Sequence, residues 1–213
     1  MHVHGLPGLF VVLEGREGVG KSTQVAALRR LLPDQYPERE FVFTREPGGT
    51  SYADRIYELF KQGMDVASAR TQFCLVFASR FAHVEQVVMP ALARGAVVVC
   101  DRFLGSTYAY QAIGLEDPSL FVPFFALAEL VPQPDISLII EAPTPAVLAR
   151  LAARTGQELS AFDRANRDFH DRLAEGFVRY AADAAGHSCQ FIDGNRPEAE
   201  VTEQLLWHLR PLL

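Results

Sequence analysis

"LEGREGVGKSTQ", Leu13 to Gln24, is the stretch that sets the fold. It contains Gly15-x-x-x-x-Gly20-Lys21-Ser22 in full, the pattern of a loop whose backbone N–H groups converge on phosphate. The context fits that reading. The run before it, "LFVVLE" (Leu9 to Glu14), is dense in β-forming residues, and Lys21 to Leu32 after it carries a helical pattern. Gly15, Arg16, Glu17, Gly18, Val19, Gly20, Lys21, Ser22 and Thr23 are therefore the expected cradle of a nucleoside triphosphate. Lys21 is placed to reach the β- and γ-phosphates, and the Ser22 hydroxyl to ligate Mg²⁺. A plain glycine turn needs no Lys-Ser in this frame. Two residues of the loop stand out. Glu17 would repel an anion, so it either points elsewhere or serves a second substrate; beside it Arg16 adds a cation.

The same strand-to-helix alternation continues outward. "FVFT" (Phe41 to Thr44), "AVVVCD" (Ala96 to Asp101), "ISLIIE" (Ile136 to Glu141) and "CQFID" (Cys189 to Asp193) read as strands with little polar alternation. Such runs suit a parallel sheet buried on both faces. Helices are expected over Thr71 to Arg94, Pro145 to Arg154, Ala161 to Ala185 and Pro197 to Leu213. The fold class is a doubly wound α/β domain: a five-stranded parallel sheet with helices on both faces, one domain over residues 1–213. Ligands in such sheets sit beyond the carboxyl ends of the strands, which here are Glu14, Thr44, Asp101, Glu141 and Asp193.

Composition narrows the partners. The 213 residues are 49% apolar and 22% charged, with a net charge of −6. That balance disfavours a nucleic-acid polymer, which wants a basic surface, but not a mononucleotide, which needs only local cations. No apolar run is long enough to cross a membrane. Cys74, Cys100 and Cys189 form neither a disulfide framework nor a zinc pattern; each lies in an apolar stretch and is expected to be buried. With no secretory signal at its start, the chain is expected to be cytoplasmic.

The second half of the site is expected at two other strand ends. "FTREPGGTS" (Phe43 to Ser51) places Arg45 and Glu46 before paired glycines, where an arginine takes an anion by bidentate pairing; the alternative is an ordinary surface arginine. "VVVCDRFLGSTYAYQ" (Val97 to Gln111) places Asp101 where a carboxylate reaches the Mg²⁺ shell, directly or through water, with Arg102 as a further cation. "FASRFAH" (Phe77 to His83) carries Arg80, which by itself reads as a surface arginine of an amphipathic helix. His83, four residues after Ser79, is expected to be structural. A guanine-reading N-K-x-D and a D-x-x-G are both absent, which excludes the switch GTPases.

"FVVLEGREGVGKSTQ", "FTREPGGT", "DRFLGSTYAYQ" and "PDISLIIEAP", in this order and at these separations, resemble the thymidylate kinase family, from Leu9 to about Arg196. The resemblance implies a cytoplasmic homodimeric enzyme that transfers the γ-phosphoryl of ATP to dTMP with Mg²⁺, in dTTP synthesis, under an arginine-bearing lid at about residues 150–168. It implies that Glu17 faces the acceptor and binds the 3′-hydroxyl of the sugar. Arg45 and Arg102 would hold the dTMP phosphate, and Arg80 would read the thymine edge. Ser106 and Gln111 would line the base pocket, and Tyr110 would crowd the 2′ position. "FIDGNRPEAEV" (Phe191 to Val201) would back the adenine. The chemistry agrees: a monophosphate with a second pKa of about 6 is already a nucleophile and needs no general base. What it needs is cations around two polyanions, here Lys21, Arg45 and Arg102.

The chain departs from the family pattern in three places. Val76 stands four residues before Arg80, where a phenylalanine stacks on thymine, so stacking falls to Phe77 or to Phe73, or is lost. In the lid, Arg154 matches one arginine, Ala161 falls on another, and Arg164 and Arg167 are out of register. Arg16 either supplies catalytic charge or points to solvent. Arg154 is expected as the main catalytic arginine, with Lys21, Arg102 and Arg16 beside it. Two other readings are a kinase of a related nucleotide or deoxynucleoside, with Glu46 as base, and a non-catalytic nucleotide-binding module.

Overall fold

The computed structural model describes residues 2–153, 160–184 and 188–213. Its sheet has five parallel strands in the order β2-β3-β1-β4-β5: β1 (Leu9–Glu14), β2 (Phe41–Arg45), β3 (Val97–Asp101), β4 (Ile136–Glu141) and β5 (Ser188–Asp193). All six residues of β1 are buried because the sheet separates two cores. Phe10 and Val12 face one core; Leu9, Val11 and Leu13 face the other. A strand covered on both sides has no solvent face for polar residues, hence the unbroken apolar run.

Helices α1 (Lys21–Gln35), α7 (Thr144–Ala152) and α9 (Glu198–Leu209) cover one face through Leu28, Val147 and Leu205. The other face is covered by α2 (Ser51–Gly63), α3 (Ala69–His83), α4 (Met89–Ala93), α5 (Leu104–Thr107), α6 (Phe121–Ala128) and α8 (Arg167–Asp183). The expected long helix of Thr71 to Arg94 is α3 and α4 joined by a π turn over Val84–Val88. Pro90 lies in the first turn of α4 and has no N–H to return to the preceding turn, which disturbs the α ladder there.

Four expectations need correction. Helix α2 was not expected; Thr50 caps it by accepting from the Ala53 N–H at 3.1 Å, and Ala53, Tyr57 and Phe60 then recur at helical spacing. The segment after β3 also coils, through α5 and a π turn over Tyr108–Gly114, and α6 follows. Helix α8 begins at Arg167 rather than Ala161, because Asn166 accepts from the Phe169 N–H at 3.0 Å and fixes the start. Finally, only Cys100 is buried: Cys74 is exposed and Cys189 half-buried.

The register builds the site. Leu13 pairs with Asp101, and Asp101 with Arg45, so three strand ends lie in one row. The chain leaves β1 toward β2 and leaves β3 toward β4, in opposite directions, which opens a crevice beyond the carboxyl ends of β1 and β3.

Candidate active site

The loop between β1 and α1 turns on glycines in the left-handed region. Gly15 has φ 134° and would press a Cβ to 2.3 Å from the Ile140 carbonyl oxygen; Gly20, with φ 100°, ends the loop as the N-cap of α1. No side chain caps α1, so its first N–H groups stay available to an anion, favoured by the helix dipole. Lys21 donates to the loop carbonyls of Gly15 at 2.6 Å and Arg16 at 2.9 Å. Burial, then repulsion from Arg102, brings its ammonium down to about 8.

Glu17 turns away from the cradle and lines a neighbouring cavity. Its carboxylate takes a hydrogen bond from Arg102 Nη2 at 2.7 Å and a short one from the Tyr110 hydroxyl. Burial works to raise its pKa, but the charges of Arg102 and Lys21 prevail and hold it below the ordinary carboxylate value. Arg102 is the wall between cradle and cavity. Its Nη1 donates to the Gly15 carbonyl at 3.0 Å and to Ser106 Oγ at 3.1 Å, and it lies 5.2 Å from the Tyr110 ring centroid. Its backbone adopts φ 70°, unusual for a side-chain-bearing residue; the N–H is held on the Leu13 carbonyl at 2.8 Å. Beneath, the buried Glu14 carboxylate accepts from the Phe103 and Ser106 N–H groups and the Ser106 hydroxyl, which pins the start of α5.

Arg80 is not a surface arginine: it is 1% exposed at the far end of the cavity. The guanidinium lies between the rings of Phe77 and Phe103, 4.8 and 4.9 Å from their centroids. It donates to Glu46 at 2.7 Å and, at 2.9 Å each, to the Phe103 carbonyl and Thr107 Oγ1. Its Nη1 is buried with no partner among the described residues. Glu46 also bonds His83 Nδ1 at 2.9 Å, and His83 Nε2 bonds Thr44 at 2.6 Å. With both oxygens occupied in this buried chain, Glu46 has no room to act as a base on a sugar hydroxyl.

Glu17, Arg80, Arg102, Ser106, Tyr110 and Gln111 thus surround one cavity. Arg45 lies on an adjoining cleft with Ser22 and Asp101. It is exposed and pairs with Asp54 at 3.2 Å, a surface pair of little energetic weight. Phe77 does not line the cavity; it lies behind Arg80, and the wall one turn before Arg80 is Val76. The sequence reading missed the cavity residues Tyr57, Phe60 and Met64 because it missed α2, although the Thr50 cap and the apolar spacing after it were the signal.

Arg16 faces neither solvent nor phosphate. It is 1% exposed, and its N–H groups go to Glu141 at 3.2 Å, Thr144 Oγ1 at 2.9 Å, and the carbonyls of His170 and Ala142. With the guanidinium consumed by the β4–α7 junction and α8, it leaves no donor for a transferred phosphoryl. Arg154 lies outside the described residues. Arg150 spans the Gly194 and Gly18 carbonyls at 2.9 and 3.4 Å and ties the loop to the Phe191–Val201 stretch.

For a divalent cation the fit is good. Asp101 Oδ1 is buried without a partner among the described residues, and Asp101 shares its cleft with Ser22, so hard oxygen donors converge there. A second group with metal-ligand spacing, His2, His4 and Asp135, is a tie instead. His4 Nδ1 accepts from the Leu6 N–H at 3.2 Å, so Nε2 carries the ring proton and donates it to Asp135.

A phosphate cradle and an acidic-plus-basic acceptor cavity joined at one arginine define a phosphate-loop nucleotide-binding enzyme of the doubly wound type. Residues 13–205 match the family model described as thymidylate kinase. The chain belongs to the thymidylate kinase family, a family of phosphotransferases. It is 40% identical over 201 residues to a thymidylate kinase of Ectopseudomonas mendocina, covering 92% of each chain. A Gluconobacter oxydans thymidylate kinase is 38% identical over 195 residues, 90% of each. The crystal structure of thymidylate kinase from Ehrlichia chaffeensis superposes with a TM-score of 0.76 at 26% identity, over 95% of this chain and 100% of that one.

Proposed function

We propose that this chain transfers the γ-phosphoryl of ATP to dTMP, giving dTDP and ADP on the way to dTTP. The observation that carries the proposal is the position of Arg102: one guanidinium touches the phosphate loop through Gly15 and the acceptor cavity through Glu17. A phosphate at the mouth of the cavity meets Arg102 and, across the cleft, Arg45. The deoxyribose lies against Glu17 and Tyr110, and the base edge meets Arg80. Main-chain N–H groups from Gly15 to Thr23 hold the ATP phosphates, and Lys21 releases its hold on the loop carbonyls to bridge β and γ. Ser22 and Asp101 would hold Mg²⁺, which neutralises charge on the phosphates when bound. Chemistry is then a matter of position and charge, since the acceptor phosphate attacks without a base. From the family resemblance we carry over a lid at about residues 150–168 with Arg154, which lies outside the described residues, as its catalytic arginine. A homodimer and a cytoplasmic setting complete the reading. Apolar side chains exposed on α2 and α6, Leu59 and Val122 among them, support a second copy, and three cysteines outside any disulfide among the described residues support a reducing compartment. No described helix is long and apolar enough to cross a membrane.

The test is ADP release against a panel of nucleosides and monophosphates. Rapid turnover of dTMP and none of thymidine is the expected result; efficient use of thymidine overturns the proposal. Sugar selection gives a second expectation. Tyr110→Ala raises use of ribonucleoside monophosphates relative to dTMP by about 10- to 100-fold, the discrimination that shape alone supplies. An unchanged ratio removes Tyr110 from that role.

A further inference from the structure

Val76 leaves a gap in the acceptor cavity that another part of the chain answers. It lines the wall one helical turn before Arg80 and offers no flat face to a nucleobase. The rings that do line the cavity come from elsewhere, and one of them, Phe162, stands in the short described segment that precedes α8. Several contacts hold it in place. Ser160 N–H and Oγ bond Asp163 at 2.9 and 2.7 Å, which closes the turn that carries it. Its ring stacks on Phe169 of α8 with centroids 5.5 Å apart and planes 14° off parallel. It also leans on Tyr110 at 5.1 Å and on Phe60 of α2 at 6.4 Å. Phe169 packs near-parallel behind the ring that Phe162 sets against the cavity.

We infer that Phe162 is the specificity-determining aromatic of the acceptor site: it supplies the stacking face for the nucleobase that Val76 does not. The inference rests on the dTMP reading. The base is then held on its edge by Arg80, anchored on α3, and on its face by a ring carried between α7 and α8. Edge and face come from separate parts of the chain. The affinity for the acceptor accordingly depends on the segment next to the lid and not on α3 alone. Tyr110 couples the two parts, since its ring touches Phe162 and its hydroxyl bonds Glu17.

The experiment measures KM for dTMP, KM for ATP and kcat, with calorimetric dTMP affinity alongside. The variants are Phe162→Leu, Phe162→Tyr and the double substitution Val76→Phe with Phe162→Leu. Stacking of a base on an aromatic ring is worth about 5- to 100-fold in affinity. Phe162→Leu is expected to weaken dTMP by a factor in that range while KM for ATP and kcat stay within about twofold. Phe162→Tyr keeps the ring and stays near wild type, and Val76→Phe restores most of what Phe162→Leu loses. An unchanged dTMP affinity in Phe162→Leu overturns the inference. So does an equal loss toward dTMP and ATP, which is the signature of a packing residue. Both outcomes differ from failure of the functional reading itself, in which the wild-type chain neither binds nor phosphorylates dTMP.

Discussion

Replacing Lys21 by alanine lowers phosphoryl transfer at least about 10²-fold while the protein still folds. The ammonium answers charge that builds between the β- and γ-phosphates, and removal of one such preorganised donor costs 10²- to 10³-fold. The fold survives because, among the described residues, Lys21 donates only to two carbonyls of its own loop, and its charge is burdened by burial and by Arg102. The burden has its own signature. With a pKa of about 8, Lys21 is partly deprotonated near pH 8, and the arrival of a polyanion draws a proton onto it. Calorimetry of ATP binding near pH 8, in buffers of different ionisation enthalpy, should register proton uptake in the wild type. The uptake should vanish in Lys21→Ala. A mutant with full turnover would remove the phosphate-loop mechanism, and equal proton uptake in both would remove the assignment of the titrating group.

Arg16→Ala has the opposite character: its main effect is on stability. The guanidinium is buried, and its hydrogen-bond partners among the described residues are Glu141, Thr144 and two carbonyls. Its removal leaves the Glu141 carboxylate without its ion-pair partner, and breaking one side of a buried pair costs about 3–5 kcal/mol. For a chain of this size that corresponds to a fall in Tm of roughly 6–20 °C. The pH dependence fixes the cause. Burial already raises the Glu141 pKa against the opposing charges of Arg16 and Lys21, and without Arg16 it rises further. The folded state then binds a proton that the unfolded state has released, so stability declines as pH climbs through the ordinary carboxylate value. The mutant's deficit should therefore be smaller at pH 5 than at pH 8, and adding Glu141→Gln should recover much of it. A deficit independent of pH, or a mutant as stable as the wild type, contradicts the ion-pair account.

Much of the site was legible because it is held by local pattern. The phosphate loop announces itself in eight residues, and its strand and helix follow from an apolar run and a period. Arg45, Asp101 and Arg102 were legible as strand-end residues because a parallel sheet presents its carboxyl ends together. Glu17 was assigned through the family resemblance, and the structure places it on the cavity beside Arg102 and Tyr110. What the sequence concealed is side-chain direction. Arg16 stands beside Glu17 in a phosphate loop, and charge alone draws it toward the ligand; its partners are 125 to 154 residues away, and no local signal names them. Arg80 and Phe77 were confused for the same reason. On a helix buried on several sides, three residues of offset decide whether a ring faces the cavity or the arginine behind it. Helix α2 was overlooked because the paired Gly48 and Gly49 drew attention to the turn and away from the cap that follows.

If Arg80 meets the base edge, as proposed, its Nη1, which has no partner among the described residues, governs which bases the cavity rejects. A buried donor left without an acceptor costs a fold about 1–3 kcal/mol of stability relative to the same donor satisfied. The rest of the guanidinium is immobilised by Glu46, Thr107 and two aromatic rings, so the donor cannot rotate to find relief inside the chain. Only a visitor with a carbonyl oxygen at that edge releases the tension. One that presents an amino group there sets N–H against N–H and leaves the strain in place. Discrimination of this kind works by refusal: the chain keeps one of its own groups unsatisfied, and the wrong base is turned away for failing to quiet it.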